Sequence, residues 1–410
     1  MSQRICITGL GTLTPFGVGE NELLAALQSG VFVAPPGGRV PEFDPIRWIP
    51  NKKTIKLLNR QAVLGCASVG AAMASAGVGP ETARSDDAIF LGSGSWVGSV
   101  LSMRDAIVPS LEAGGRVDYT NFCERGYRNL PPLWILPLLP NTTAGQATIL
   151  HGLRGLNLSI VNGPSSGFLA VGEAFDCLRG GRAGRAVCGG AEGDAPADLL
   201  FNLVKRGVAS RSMNGSRPFD PASDGFLCSE GGVAFVIETD AIARARAARP
   251  RAWIRGYVNR YVPRLHTERS GTVALHYQRF IRGVLDQAEV RADQIGFVQA
   301  SAAGVPHLDE AEALAIAGVF GPRVPVTSVH GAAGNCLAAG GALSIASAVL
   351  QLEKGLVAPI ARAQPQLHKD AVCYVTGSPI AIRASWCLVT CFDHLGAASC
   401  MVLQKVEEKS

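Results

Sequence analysis

Charge is scarce in this chain. Of its 410 residues, 17% are charged and 6% aromatic, and the formal net charge is only +5. No concentrated basic run stands out beyond RARAARPRAWIR, which reads as a helix end and a linker. A nucleic-acid partner is therefore not expected, and a mildly acidic protein partner fits better. The 11 cysteines never fall into C-x-x-C spacing, so a metal site has no support. Cys6, Cys188, Cys387 and Cys400 sit in apolar runs and read as small core hydrophobes in a reducing cytosol. No leader is expected either, because MSQRICITGLGTLTPFG reads straight into an apolar strand. Membrane-spanning runs are also missing. LPPLWILPLLP is too short and proline-rich, and GNCLAAGGALSIASAVLQL is dominated by Gly, Ala and Ser, which suits a helix buried between protein layers. The expectation is a cytoplasmic protein without a membrane span, cofactor or metal.

Apolar residues and glycine are plentiful: 47% of the chain is hydrophobic and 48 residues are Gly. A large core and many close backbone contacts follow. Strand-like runs alternate with helical patterns. RICITGLG, DDAIFLGSGS, LNLSIVNG, RAVCGGAEG and GGVAFVIET read as strands, and NELLAALQSG as a helix closing on Gly30. A second set follows residues 240–252, with IGFVQASAAG, VPVTSVHG and CLVTCFDHLGAASCMVLQKV. AIFLGSGS and GFVQASAAG share one design, an apolar strand before a small-residue loop. The reading is an α/β protein of two similar halves, residues 1–245 and 246–410.

The stretch NLSIVNGPSSGFLAVGEAFDCLRGG reads as a buried strand, a tight turn and a helix with Phe168, Val171, Phe175 and Leu178 on one face. Such a corner often mounts a nucleophile, yet Pro164 occupies it. Proline suits the first turn of a helix, where its missing N–H costs nothing. Ser165 and Ser166 follow, and read as helix caps before they read as nucleophiles.

The segment SRPFDPASDGFLCSEGGVAFVIE closely resembles the signature of the β-ketoacyl synthases, the condensing enzymes of fatty acid and polyketide synthesis. ITGLGTLTPFG, LPNTTAGQATILHGLRGLNLSIVNG, VPHLDEAEALAIAGVFG and TCFDHLGAASCMVL follow the same family pattern, so the resemblance spans essentially the whole chain. It implies the thiolase-type fold, two βαβ halves stacked as five αβαβα layers, working as a dimer. The same alignment implies losses. Pro164 stands where the family has its cysteine, and Ser301 and Asn335 where it has its two histidines. His330 replaces a lysine, and Asp393, His394, Leu395 and Gly396 replace a glycine-rich loop. Asp309 and Glu312 match family acids, and Glu312 is expected to partner a neighbour such as His330.

Condensation needs a thiolate to hold the acyl chain and donors around the developing oxyanion. Proline supplies neither thiol nor N–H. Ser301 is a poor base and Asn335 does not titrate. The resemblance therefore points to the family's inactive chain length factors, which pair with an active ketosynthase and shape the acyl tunnel in type II polyketide synthesis. Many of these carry Gln at the cysteine position; Pro164 departs from that and keeps the related polyene-type subunits in view, including those of aryl polyenes. Two other readings stay open: a repurposed acyltransferase or cyclase using Ser165, Ser166 or His394, and a stand-alone homodimeric scaffold. Leu133, Trp134 and Ile135 align with the stretch that reaches toward a partner's acyl pocket. Lys52, Lys53, Lys56 and Arg60 resemble a basic docking region for acyl carrier protein, although docking is expected mainly on the partner.

Overall fold

The computed structural model describes residues 3–30, 38–79, 81–82, 84–94, 100–193, 195–212, 215–362 and 364–407. Its first half opens with β1 (Ile5–Thr14), then helix α1 (Arg60–Ser75) and β2 (Ala88–Ser93). Helix α2 (Thr142–His151), β3 (Asn157–Ile160), α3 (Ser166–Arg179), β4 (Arg185–Glu192), α4 (Ala197–Lys205) and β5 (Gly231–Thr239) follow. The second half holds β6 (Ala252–Tyr261), α5 (Ser270–Gln287), β7 (Phe297–Gln299), α6 (Pro306–Phe320) and β8 (Pro325–Thr327). It continues with α7 (Gly340–Lys354), β9 (Cys373–Tyr374), β10 (Trp386–Phe392) and β11 (Ala397–Lys405). Strands β1, β4 and β5 are buried from end to end, as strands covered on both faces must be. The run AWIR, read as linker, belongs to β6, and Ser95 of DDAIFLGSGS lies outside the described residues.

The two halves repeat one topology. In the first, the order is β3-β2-β4-β5-β1, with parallel pairing at β3/β2 and β2/β4 and antiparallel pairing onward. In the second, β8-β7-β10-β11-β6 has the same order and sense, with β9 added beside β8. Strands β2 and β7, which carry the two matching sequence segments, hold equivalent places. The halves meet edge to edge over three residues only, Ile5–Ile7 of β1 against Ala252–Ile254 of β6.

Helices fill the remaining layers. On the outside of the first half, Val69 and Met73 of α1 pack on Ile89, Leu91, Val187 and Val236. On the outside of the second, Tyr277 and Ile281 of α5 and Ile316 of α6 pack on Val298, Leu388 and Val402. Between the sheets lie α3 and α7, where Phe168, Phe175, Leu343 and Ile345 join Phe90, Phe235, Phe297 and Val389 in one core. The five αβαβα layers of the thiolase-type fold are thus formed. Every residue of α7 from Gly340 to Leu352 is buried; its small side chains let it sit between layers rather than in lipid. Among the described residues no helix is long and apolar enough to cross a membrane.

Gly172 shows how tightly the central layer is seated. A methyl group there would overlap the ring of Tyr257, which belongs to the other half. Overpacking of this kind costs about 1–3 kcal/mol. Gly172→Ala should lower stability by that amount in denaturant unfolding, whereas Gly145→Ala, with no heavy atom within 4 Å of the new carbon, should be neutral or slightly stabilising. Equal stabilities would contradict this account of the packing.

Candidate functional site

The corner after β3 is built from backbone contacts. Gly163 turns the chain at φ 60°, and Gly163–Ser165 form a 3-10 turn before α3 begins at Ser166. Pro164 therefore lies in this lead-in turn, not in the first turn of α3 as the sequence suggests. The left-handed glycine lets the chain tighten one step early, and Ser166 N–H closes the turn on Gly163 C=O. The serines do not cap the helix either. The Ser165 hydroxyl donates to Asn162 C=O (3.1 Å) and accepts from Asn162 Nδ2 (2.9 Å). The Ser166 hydroxyl donates to Gly163 C=O (2.7 Å) and accepts from Asn162 N–H (2.8 Å). Both side chains are buried and both knot the turn to itself, so no neighbouring imidazole activates them.

Around this corner the two halves bring together a cavity of about 40 Å³, lined by Pro164, Ser301, Asn335, His330, Asp393 and His394 among others. That is room for about one water molecule. Ser301 is tied to Glu312: its N–H donates to Oε1 and its hydroxyl to Oε2, each at 3.0 Å. The Thr390 hydroxyl donates to the same carboxylate. Burial pushes the Glu312 carboxyl up, and these bonds pull it back. Glu312 thus partners Ser301 and Thr390 rather than His330, because both hydroxyls sit beside it on neighbouring elements.

His330 turns elsewhere. Its Nδ1 faces Gly334 C=O and its Nε2 the Ser344 hydroxyl, both at 3.2 Å. Burial lowers its pKa to about 4, so the ring is neutral and engaged. Asn335 accepts Leu337 N–H at 2.9 Å. His394 is held neutral in the same way, with burial and then the Arg206 and His266 charges lowering it to about 4. Asp393 accepts from Leu395 and Ala397 N–H at 2.8 and 3.0 Å, which closes the hairpin between β10 and β11. Burial raises its carboxyl, while the turn N–H groups lower it.

The sequence reading missed two residues. Cys391 also lines the cavity, but burial and then the Asp393 and Glu312 charges push its thiol well above the ordinary range. A protonated thiol is not a nucleophile. Glu192, at the end of β4, lines a second and larger cavity with Pro164 and His394. An acid after the apolar run RAVCGGA was the only signal for it.

The remaining candidates sit apart from the cavity. Leu133 is exposed with φ 64° and Ile135 is exposed, while Trp134 is half-buried. Lys52, Lys53 and Lys56 are exposed on or beside a short helix, Lys52–Ile55. Arg60 does not share that solvated face. It pairs with the buried Glu230 at 2.9 Å and donates to Val40 C=O.

Asp309 explains part of the signature segment. Its carboxylate accepts Phe219 N–H (2.8 Å) from the RPFD run and Gly304 N–H (3.0 Å) from the loop after Ser301. Burial raises this carboxyl to about 7, above its unfolded value, so the folded state favours the protonated form. Its contribution falls as pH rises from about 4 to about 7 and is constant beyond. Asp309→Asn cannot ionise, so it should gain stability relative to the parent over that window. Urea midpoints at about pH 5 and pH 8 would read this; an unchanged difference would exclude Asp309 as the titrating group.

Comparison with known proteins agrees with this architecture. The family model described as beta-ketoacyl synthase, N-terminal domain, matches residues 36–243, and that for the C-terminal domain matches residues 264–364. A putative polyketide beta-ketoacyl synthase 2 of Streptomyces coelicolor is 28% identical, covering 98% of this chain and 95% of that protein. The tetracenomycin polyketide synthase ketoacyl synthase beta subunit of Streptomyces glaucescens is 29% identical, covering 98% of both. Among solved structures, the ishigamide ketosynthase/chain length factor superposes with a TM-score of 0.85 at 20% identity, over 99% of this chain and 100% of that one. With matched domains in both halves and a common fold throughout, the chain belongs to the β-ketoacyl synthase family.

Proposed function

We propose that this chain is a non-catalytic, chain-length-factor-like subunit that pairs with an active ketosynthase and shapes its acyl tunnel. One observation carries the reading: Pro164, Ser301 and Asn335 surround a cavity of about 40 Å³ in which no activated nucleophile faces a base. Two relatives are named as the beta and alpha ketoacyl synthase subunits of the tetracenomycin polyketide synthase. One solved neighbour is a type II acyl carrier protein in complex with its ketosynthase, with a TM-score of 0.81. The reading leaves the aromatic and polyene types, including aryl polyenes, as alternative products. Eleven free cysteines suit a reducing, cytoplasmic setting.

The surface offers a place for the partner. Strand β3 ends the sheet, and among the described residues only β2 pairs with it. Leu156, Leu158 and Val161 along this edge and Ile149 of α2 are exposed. An apolar open edge invites pairing with another chain. The acyl carrier protein would dock mainly on the partner. An acyltransferase or cyclase reading is less favoured, because Ser165 and Ser166 are buried and bonded back to the turn.

Intact-mass analysis of the isolated chain with acyl- and malonyl-loaded carrier protein should show no acyl adduct. Pro164→Cys should not gain condensation, since its thiol would still lack both histidines. A stable adduct on the parent would end the non-catalytic reading. Co-expression with a ketosynthase encoded beside this chain, where one is found, should yield a heterodimer by size exclusion; a homodimer alone would favour the scaffold.

Trp134 stands between two exposed apolar residues, Leu133 and Ile135. If the indole limits the tunnel, Trp134→Ala should leave the heterodimer assembled and lengthen the released product by mass spectrometry. Weakened assembly, by about 2 kcal/mol or more, with unchanged products would make it an interface anchor instead.

A further inference from the structure

The two halves touch edge to edge through Ile5–Ile7 and Ala252–Ile254, which run antiparallel about a local two-fold. Arg4 and Arg251, each one residue before its stretch, are therefore equivalent and stand at opposite ends of this seam. Their surroundings differ. Arg251 is neutralised within the protein: Glu20 of the first half lies 2.6 Å from it, and Glu353, in the last turn of α7, lies 2.7 Å from it. At the Arg4 end, the last turn of α3 brings another cation, Arg179. Among the described residues no carboxylate comes within ion-pair distance of Arg4 or of Arg255.

A cavity of about 160 Å³ opens at this end of the seam. The first half supplies Arg4, Phe175 and Arg179 to its lining, and the second half supplies Trp253, Arg255 and Glu289. The volume is below the roughly 300–1,000 Å³ of sites for drug-sized ligands, so a compact ion fits and a nucleotide does not. The guanidinium of Arg4 lies 4.0 Å over the Trp253 ring, and that of Arg255 lies 5.6 Å over Trp386. Stacking holds a guanidinium by its face and leaves its N–H edge to donate. Gln287 accepts Tyr257 N–H at 2.7 Å through its side-chain oxygen, which leaves its NH2 group as a further donor on the lining. Three arginines against one glutamate give the lining a formal excess of two positive charges. Arg179 is answered by Asp176 at 2.9 Å, so Arg4 and Arg255 are the cations left to meet an anion.

We propose that this cavity binds a compact phosphate dianion, free or as a small phosphomonoester, held by Arg4 and Arg255. A guanidinium fork matches two phosphate oxygens at once. A monoanion would leave one of the two guanidinium groups unanswered. The bound dianion would join β1 to β6 at the end of the seam where the protein supplies no carboxylate, as Glu20 and Glu353 do for Arg251 at the other end. The inference does not depend on pairing with a ketosynthase.

The test is isothermal titration of the full-length chain with inorganic phosphate, glycerol phosphate and propionate. Low, constant ionic strength is needed because salt screens exposed charges, and about pH 8 keeps a phosphomonoester, with a second pKa of about 6, dianionic. Both phosphates should bind saturably, and propionate more weakly by about tenfold or more. Tighter binding of glycerol phosphate would identify an ester as the occupant, and tighter binding of inorganic phosphate the free ion; either supports the site. Arg4→Gln and Arg255→Gln should each cost about tenfold, with Arg4→Lys recovering part. Arg116→Gln removes the same charge from an exposed position outside the lining and should change nothing. Phosphate should also raise the thermal midpoint of the parent more than that of Arg4→Gln. Midpoints without ligand check folding; if an arginine variant fails to fold, Glu289→Gln, which removes the acid from the lining, should tighten phosphate severalfold and reads the same site. No saturable phosphate binding, equal affinity for propionate, an equal loss in Arg116→Gln, or indifference to the Arg4, Arg255 and Glu289 substitutions would each overturn the proposal.

Discussion

Backbone-to-backbone contact at the Pro164 corner is the constraint on which the rest of the structure depends. Gly167 stands where a Cβ would lie 2.6 Å from Ala338 C=O, and a Cβ on Gly92 would overlap the backbone of Ser166 and Gly167. Gly190 of β4 closes the third side, against Ala338 and Gly167. Strands β2 and β4, the start of α3 and the approach to α7 therefore meet without side chains between them. Ala338 comes from the second half, so the same contact locks the two halves together. A reactive residue placed on this corner would be positioned to within tenths of an ångström. Proline fixes the backbone at this corner and brings neither a thiol nor an N–H.

Charge is handled differently in the two kinds of buried site. In the scaffold, carboxylates meet guanidinium groups: Asp87 with Arg185, Glu238 with Arg246 and Glu230 with Arg60. Such pairs are held by geometry, and removing one partner leaves a costly lone charge. At the small cavity, among the described residues, no guanidinium or ammonium group lines the space beside Asp309, Glu312 or Asp393. They are met instead by hydroxyls and backbone N–H groups, and burial raises all three. Both neighbouring imidazoles are neutral. The cavity is thus a low-charge interior of about 40 Å³.

Much of the fold was legible in the sequence. Apolar runs such as RAVCGGAE and GGVAFVIET specify strands buried on both faces, because no polar alternation interrupts them. The Gly/Ala/Ser run of α7 specified a helix between layers, because small side chains permit close approach on every side. The matching segments AIFLGSGS and GFVQASAAG marked equivalent strands. Pro164, Ser301, Asn335, His330, Asp393 and His394, singled out through the family resemblance, line one cavity although they lie far apart in the chain, whereas Ser165 and Ser166 do not line it.

The partnerships within that cavity were decided only in three dimensions. The family resemblance suggested His330 as a partner for Glu312, but hydroxyls from β10 and the loop after β7 bond to it instead. Ser165 and Ser166 looked like helix caps; a left-handed Gly163 moved the turn one step early and bent their hydroxyls back to Asn162 and Gly163. Arg60 looked like one more exposed cation beside Lys52 and Lys53, and the fold gave it Glu230. Cys391 and Glu192 carried no local signal, because a buried thiol or acid is recognised by what surrounds it. By itself the sequence determined which segments are buried and which residue types stand at the corner, since periodicity and side-chain chemistry are local properties. Only the tertiary structure decided who bonds to whom and which groups hold a proton, because hydrogen-bond partners and desolvation arise from residues distant in the chain.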